Sequence, residues 1–93
     1  MKLPNKIRIK TKVAYEIVFQ DVIKSDLNCL GFCDGNKHII YLKNGLSKKE
    51  LKKTFLHEVF HAWCFEYNIN IPHESIYLLE DAVLNTLSLN KWI

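Results

Sequence analysis

Residues 47–68 read SKKELKKTFLHEVFHAWCFEYN, and this stretch decides the architecture of the chain. Ser47 followed three residues later by Glu50 is a capping box, which supplies partners for backbone groups that the first turn of a helix leaves unpaired. Behind it, Leu51, Phe55, Leu56, Val59, Phe60, Ala62, Trp63 and Phe65 recur at helical spacing, and from residue 55 onward apolar side chains point in nearly every direction around the axis. The pattern predicts a long helix buried in the middle of a domain. Inside it lie His57, Glu58 and His61. Polar groups in such a setting are costly unless they are paired, hydrogen-bonded or bound to a metal. Positions 57 and 61 share one helix face, so both imidazoles can reach a single ion while Glu58 points toward a water bound there. His-Glu-x-x-His therefore points to zinc and to hydrolysis of peptide bonds. The competing reading is a pair of core histidines that coincide with the motif.

A catalytic zinc takes three protein ligands and leaves one position for water, so a third donor is needed. Glu66, His73, Glu74, Glu80 and Asp81 are the downstream candidates. Glu66 lies five residues beyond His61 and faces away around the same helix. Residues 72–89 form a second periodic segment, with Ile76, Leu79, Val83, Leu84 and Leu87 at helical spacing, Pro72 in its first turn and Asn70 or Ile71 before it. Glu80 shares the face of Ile76, Val83, Leu84 and Leu87, which puts a carboxylate on the side that packs against the first helix and makes it the best-placed third ligand. Asp81 sits further round, at the edge, where it can accept a hydrogen bond from a ligand histidine. His73 and Tyr77 lie near the face of Glu80. Either is a candidate to stabilise an oxyanion, and the plainer readings are a solvated first-turn histidine and an amphipathic tyrosine.

The order His-Glu-Val-Phe-His, eighteen residues, then Glu80 is similar to the spacing of the gluzincin zinc peptidases. The chain resembles the very small members of that group, the minigluzincins, and short metallopeptidase-like proteins carried by phages and mobile elements. The likeness covers most of residues 6–90, with His-Glu-x-x-His as its specific element. It implies that His57, His61 and Glu80 are zinc ligands and Glu58 the general base. Some gluzincins carry an Asp four residues after the ligand Glu to orient a histidine. Here that position is Leu84, and Asp81 and Asn85 are the local substitutes. The resemblance also implies that an extended peptide or protein substrate pairs with the strand edge above the active-site helix, and residues 37–42 look like that strand.

Upstream of the helix the chain reads as strands. Lys6 to Val13 alternates basic with mostly apolar residues, as a half-buried strand does, and Tyr15 to Phe19 continues the β-forming composition after a bend. Asp21 to Asn28 reads as a connection or a single helical turn. Cys29 to Cys33 and Lys37 to Leu42 flank Asp34-Gly35-Asn36, the composition of a hairpin turn. Three strand segments followed by two helices predict an α+β fold. In it a small, mostly antiparallel sheet packs on the His-Glu-x-x-His helix, and a second helix closes the layer.

Ninety-three residues, 48% hydrophobic and 12% aromatic, fit one folded domain spanning 1–93 and leave no room for a second lobe across the cleft. Substrate binding is then shallow, or a partner or homo-oligomer completes it. Bound metal can also support a core this small. Three cysteines do not form a disulfide framework and read as reduced thiols, and a Cys29-Cys33-His38 metal site lacks a fourth ligand. The first residues, Met-Lys-Leu-Pro-Asn-Lys, lack the apolar core of a signal peptide, and no apolar run reaches membrane-spanning length, so the expected compartment is the cytoplasm. Lys2, Lys6, Arg8, Lys10 and Lys12, with Lys48, Lys49, Lys52 and Lys53, concentrate the net charge of +3. They raise nucleic-acid binding as a reading of another class, against edge lysines that merely discourage aggregation. A further alternative is a metal-binding regulatory module with little hydrolysis, or a latent form with His73 as a fourth ligand. The presence of Glu58 argues against a dead site.

Overall fold

A computed structural model describes residues 3–92. Its elements are β1 (Lys6–Lys10), β2 (Val13–Gln20), β3 (Gly31–Asp34), β4 (Ile39–Lys43), α1 (Lys48–Tyr67) and α2 (His73–Leu89). The fold is α+β: a four-stranded sheet in the order β1-β2-β4-β3 lies on α1, and α2 packs on α1. β1/β2 and β3/β4 are antiparallel, whereas β2 and β4 run parallel. The sheet is thus mixed, with two antiparallel ladders flanking one parallel ladder. The basic segment ends earlier than its alternation suggests. The chain reverses at Thr11-Lys12, and Val13 already belongs to β2, pairing with Lys10 beyond a register shift.

The segment at residues 37–42 was expected to form the open edge of the sheet; instead β4 is interior, bonded to β2 on one side and β3 on the other. The physical reason lies in its composition. Ile40 and Leu42 are fully buried, and a strand this apolar is best satisfied with neighbours on both sides. The edge above the cleft is β3, four residues long. Gly31 and Cys33 face α1, paired with Leu42 and Ile40, while Phe32 and Asp34 face away.

Ile9, Tyr15, Ile40, Leu42, Val59 and Ala62 form the core between sheet and helix. Each large apolar side chain in it contributes about 1.5–3 kcal/mol by leaving water. The serine half of the capping box forms: the Glu50 N–H donates to Ser47 Oγ at 3.2 Å, and the Glu50 carboxylate accepts from the Ser47 hydroxyl at 3.2 Å instead of from its backbone N–H. At the other end Asn68 takes the left-handed conformation, and its N–H closes on the Cys64 carbonyl. Burial along α1 is narrower than its composition suggests. His57, Glu58, Val59, Phe60 and Ala62 are buried, while Trp63, Phe65 and Tyr67 are exposed, because the small sheet and one helix cover only part of its circumference. α2 starts one residue later than expected, with Pro72 as its cap. Residues 21–28 form an irregular connection anchored by the buried side chain of Ile23, with a tight turn through Lys24 and Ser25, both left-handed.

One polar contact ties the far end of α1 to the sheet. The Tyr15 hydroxyl, fully buried at its ring, donates to Glu66 Oε2 at 2.6 Å. His38 Nε2 lies 3.4 Å from the same oxygen, and Lys10 Nζ donates to the Glu66 carbonyl at 3.1 Å. Burial, then the Glu66 hydrogen bond, pushes the Tyr15 hydroxyl pKa upward. Glu66 is thereby committed to the fold, in keeping with its exclusion as a metal ligand.

Candidate metal centre

His57 and His61 lie one helical turn apart on α1, and α2 brings His73 across from them. His57 Nε2 is 3.0 Å from His73 Nε2, His61 Nε2 is 3.1 Å from His57 Nε2, and His73 Nε2 is 3.1 Å from His61 Nε2. The three nitrogens make a nearly equilateral triangle. A point about 1 Å out of its plane lies about 2.0–2.1 Å from every corner, the length of a metal–imidazole bond. Three imidazole nitrogens this close to one common point can hold a metal ion between them. It is the one such cluster found among the described residues, and Cys29, Cys33 and His38 do not form a second.

Glu80 reaches the site, but at a different place from the one expected. Its carboxylate is 1% exposed and sits 2.8 Å from Nδ1 of His57, the ring nitrogen on the opposite side from the triangle. Burial, then the neighbouring His73, lowers the pKa of His57. In the neutral ring the contact is an N–H donated from Nδ1 to the Glu80 carboxylate. That bond selects the tautomer whose Nε2 carries a free lone pair. Burial likewise pushes the Glu80 carboxyl pKa upward. For His61, burial and then its two histidine neighbours lower the pKa to about 4, which keeps its lone pair available well into acid.

Asp81 does not take the histidine-orienting role considered for it. It pairs with Lys53 at 3.3 Å on a half-exposed surface. Asn85 is exposed and Leu84 half-buried, so neither replaces it. Tyr77 packs its ring 4.6 Å from that of His57 and 5.0 Å from that of His73, at the lip of the site. His73 is exposed, as a first-turn residue should be, yet its Nε2 completes the triangle. The signal for it in the sequence is its position two turns before Glu80 on one helix face.

Glu58 is buried beside the triangle, and burial, then the charge of Glu80, raises its pKa to about 7. It packs beneath the edge strand: a Cβ on Gly31 would come within 3.1 Å of Glu58 Oε2 and 2.7 Å of Thr54 Cγ2, so only glycine allows this approach. Cys33, also on the α1 face of β3, has its thiol pKa pushed up to about 12, first by burial and then by Glu58. A cleft of about 1010 Å³ opens along this edge, lined by residues 28–33 of the strand side and by Lys49, Lys53, Glu58, His61, His73 and Tyr77 of the helices. The Lys43 N–H donates to the Leu30 carbonyl at 2.9 Å. Alternation along an antiparallel ladder then turns the backbone groups of Gly31 and Cys33 away from β4, toward the cleft. The Cys29 thiol, at 3.2 Å, donates to that Gly31 carbonyl. Among the described residues no helix is long and apolar enough to cross a membrane.

Comparison of the chain with known protein families, curated proteins and solved structures finds no match.

Proposed function

We propose that the chain is a zinc-dependent metallopeptidase, in which His57, His61 and His73 hold the metal, Glu80 orients His57, and Glu58 is the general base. The observation that carries this reading is the triangle of Nε2 atoms, 3.0–3.1 Å on a side, set beside a buried carboxylate and an open strand edge. Three imidazoles with one free corner suit zinc in its catalytic coordination better than metals that favour carboxylate oxygens. The third ligand then differs from the one that the gluzincin spacing implies. The resemblance supports the motif, the base and the following helix, and Glu80 moves from the metal to the ring behind it.

Bound zinc supplies Lewis acidity and lowers the pKa of a coordinated water toward about 7. The protein's own part is proton handling and placement. Glu58, with a pKa of about 7 in this pocket, accepts the proton of the attacking water and returns it to the leaving amine. An extended peptide pairs with the outward backbone groups of Gly31 and Cys33 by strand addition, which lays its carbonyl over the triangle.

Elemental analysis of purified wild type, His73→Ala and Glu58→Gln, with cleavage of a peptide library measured on the same samples, tests this. A single zinc per chain in wild type and Glu58→Gln, its loss in His73→Ala, and cleavage by wild type alone are expected. Absence of zinc from the wild type would overturn the metal assignment. Stoichiometric zinc with cleavage unaffected by Glu58→Gln would overturn the role of the base.

A further inference from the structure

α2 carries two apolar stripes. The first, centred on Ile76 and Glu80, is buried against α1. The second lies about 180° away around the helix, since 78, 82, 85 and 89 are spaced by four, three and four residues. Leu78 is 70% and Leu89 82% exposed, and Ala82 and Asn85 lie exposed between them. Trp92, 70% exposed, continues the stripe. Its backbone is held in place: Lys91 is left-handed, the Trp92 N–H donates to the Leu87 carbonyl at 2.8 Å and the Lys91 N–H to the Ser88 carbonyl at 3.0 Å, a Schellman closure that ends the helix at this point. Among the elements α2 packs on α1 alone, so nothing in the described chain covers this face.

We propose that the stripe is the interface of a homodimer in which α2 lies antiparallel to α2 of a second copy. The stripe is self-complementary in that orientation. A two-fold axis between Ala82 and Asn85 sets Leu78 against Leu89 of the second copy, Ala82 against its Asn85, and Trp92 against its Ser75. Charge agrees, because Glu74 at the start of the helix approaches Lys91 at the end of its mate, whereas a parallel pair would stack like charges. Small Ala82 at the centre allows close approach of the two helices. Leu78, Leu89 and Trp92 together expose on the order of 450 Å² of surface per copy, so a pair buries up to roughly 900 Å², the size of a weak, concentration-dependent association. Both clefts open on the opposite side of α2, and the dimer stands independently of the chemistry assigned to the metal centre.

Sedimentation equilibrium on the full chain, at concentrations up to roughly 100 µM, is expected to show twice the protomer mass of 11.0 kDa. Leu78→Glu with Leu89→Glu is expected to weaken the dimer at least ~100-fold, with the far-ultraviolet circular dichroism and zinc content of wild type. Leu78→Cys mixed with Leu89→Cys guards against misfolding of that variant: under mild oxidation a cross-linked heterodimer is expected, in preference to either homodimer. A monomeric wild type, an undiminished dimer in the glutamate variant, or preferential self-cross-linking of Leu78→Cys would each overturn the proposal.

Discussion

Replacing Glu80 separates the two places it could hold at the candidate metal centre. Its carboxylate is 2.8 Å from His57 Nδ1 and 1% exposed, so Glu80→Ala leaves a buried N–H without an acceptor, a loss of about 1–3 kcal/mol. Part of this is offset, because the variant no longer buries a carboxylate whose pKa burial has already raised. The metal reports the change more cleanly than thermal stability does. An outer partner of a ligand histidine is worth about 10–100-fold in metal affinity, or about 1.4–2.8 kcal/mol. Glu80→Ala should therefore bind zinc 10–100-fold more weakly than wild type by competition with a chromophoric chelator, and Glu80→Gln, which keeps a carbonyl oxygen near Nδ1, should recover most of the loss. His73→Ala removes a corner of the triangle and should fall below both. If Glu80→Ala abolished zinc binding while His73→Ala retained it, Glu80 would be the third ligand and the reasoning from the ring nitrogens would fail.

Two further outcomes follow from the fold around the site. Tyr15→Phe leaves Glu66 buried without its 2.6 Å donor and should cost about 1–3 kcal/mol, lowering the melting temperature by roughly 4–8 °C per kcal/mol for a domain of this size; unchanged melting would show that His38 and Lys10 satisfy Glu66 alone. Cys33, with a thiol pKa of about 12, stays protonated as pH rises through the range where a free cysteine ionises. At pH 8 its thiolate fraction is about 10⁻⁴, so alkylation mapped by mass spectrometry should be slow in the native chain and fast in urea. Equal rates in both states would refute the burial of the thiol.

Local signals in the chain were legible where chemistry and periodicity coincide. Ser47 caps α1, and the His57–His61 spacing places both rings on one face, because each follows from helix geometry alone. The same periodicity correctly placed Glu80 toward α1. It did not distinguish the oxygen that touches Nδ1 from the nitrogen that completes the triangle, since His73 and Glu80 share a face two turns apart. Which of them reaches the ion depends on the tilt of α2 and the length of each side chain, and neither is written in spacing. The parallel pairing of β2 with β4 was illegible for another reason. It joins Glu16 to Ile39 across an intervening strand, and no turn residue announces a non-local partner. The reversal at Thr11-Lys12 lacks Gly, Asn and Pro, so the alternating pattern ran through it unmarked.

Gly31, pressed against Glu58 from the sheet side, divides the site by how much chain must be ordered to build each part. His57, His61 and His73 come from two helices joined by a short turn, and gathering them closes only a small loop. The surroundings of Glu58 require β3, which precedes it by more than a score of residues and is held against α1 through its antiparallel ladder with β4. Loop closure is costlier for that longer-range step. The three-histidine cluster is therefore a local property of the helical hairpin, whereas the environment of Glu58 also needs the β3–β4 hairpin docked on α1.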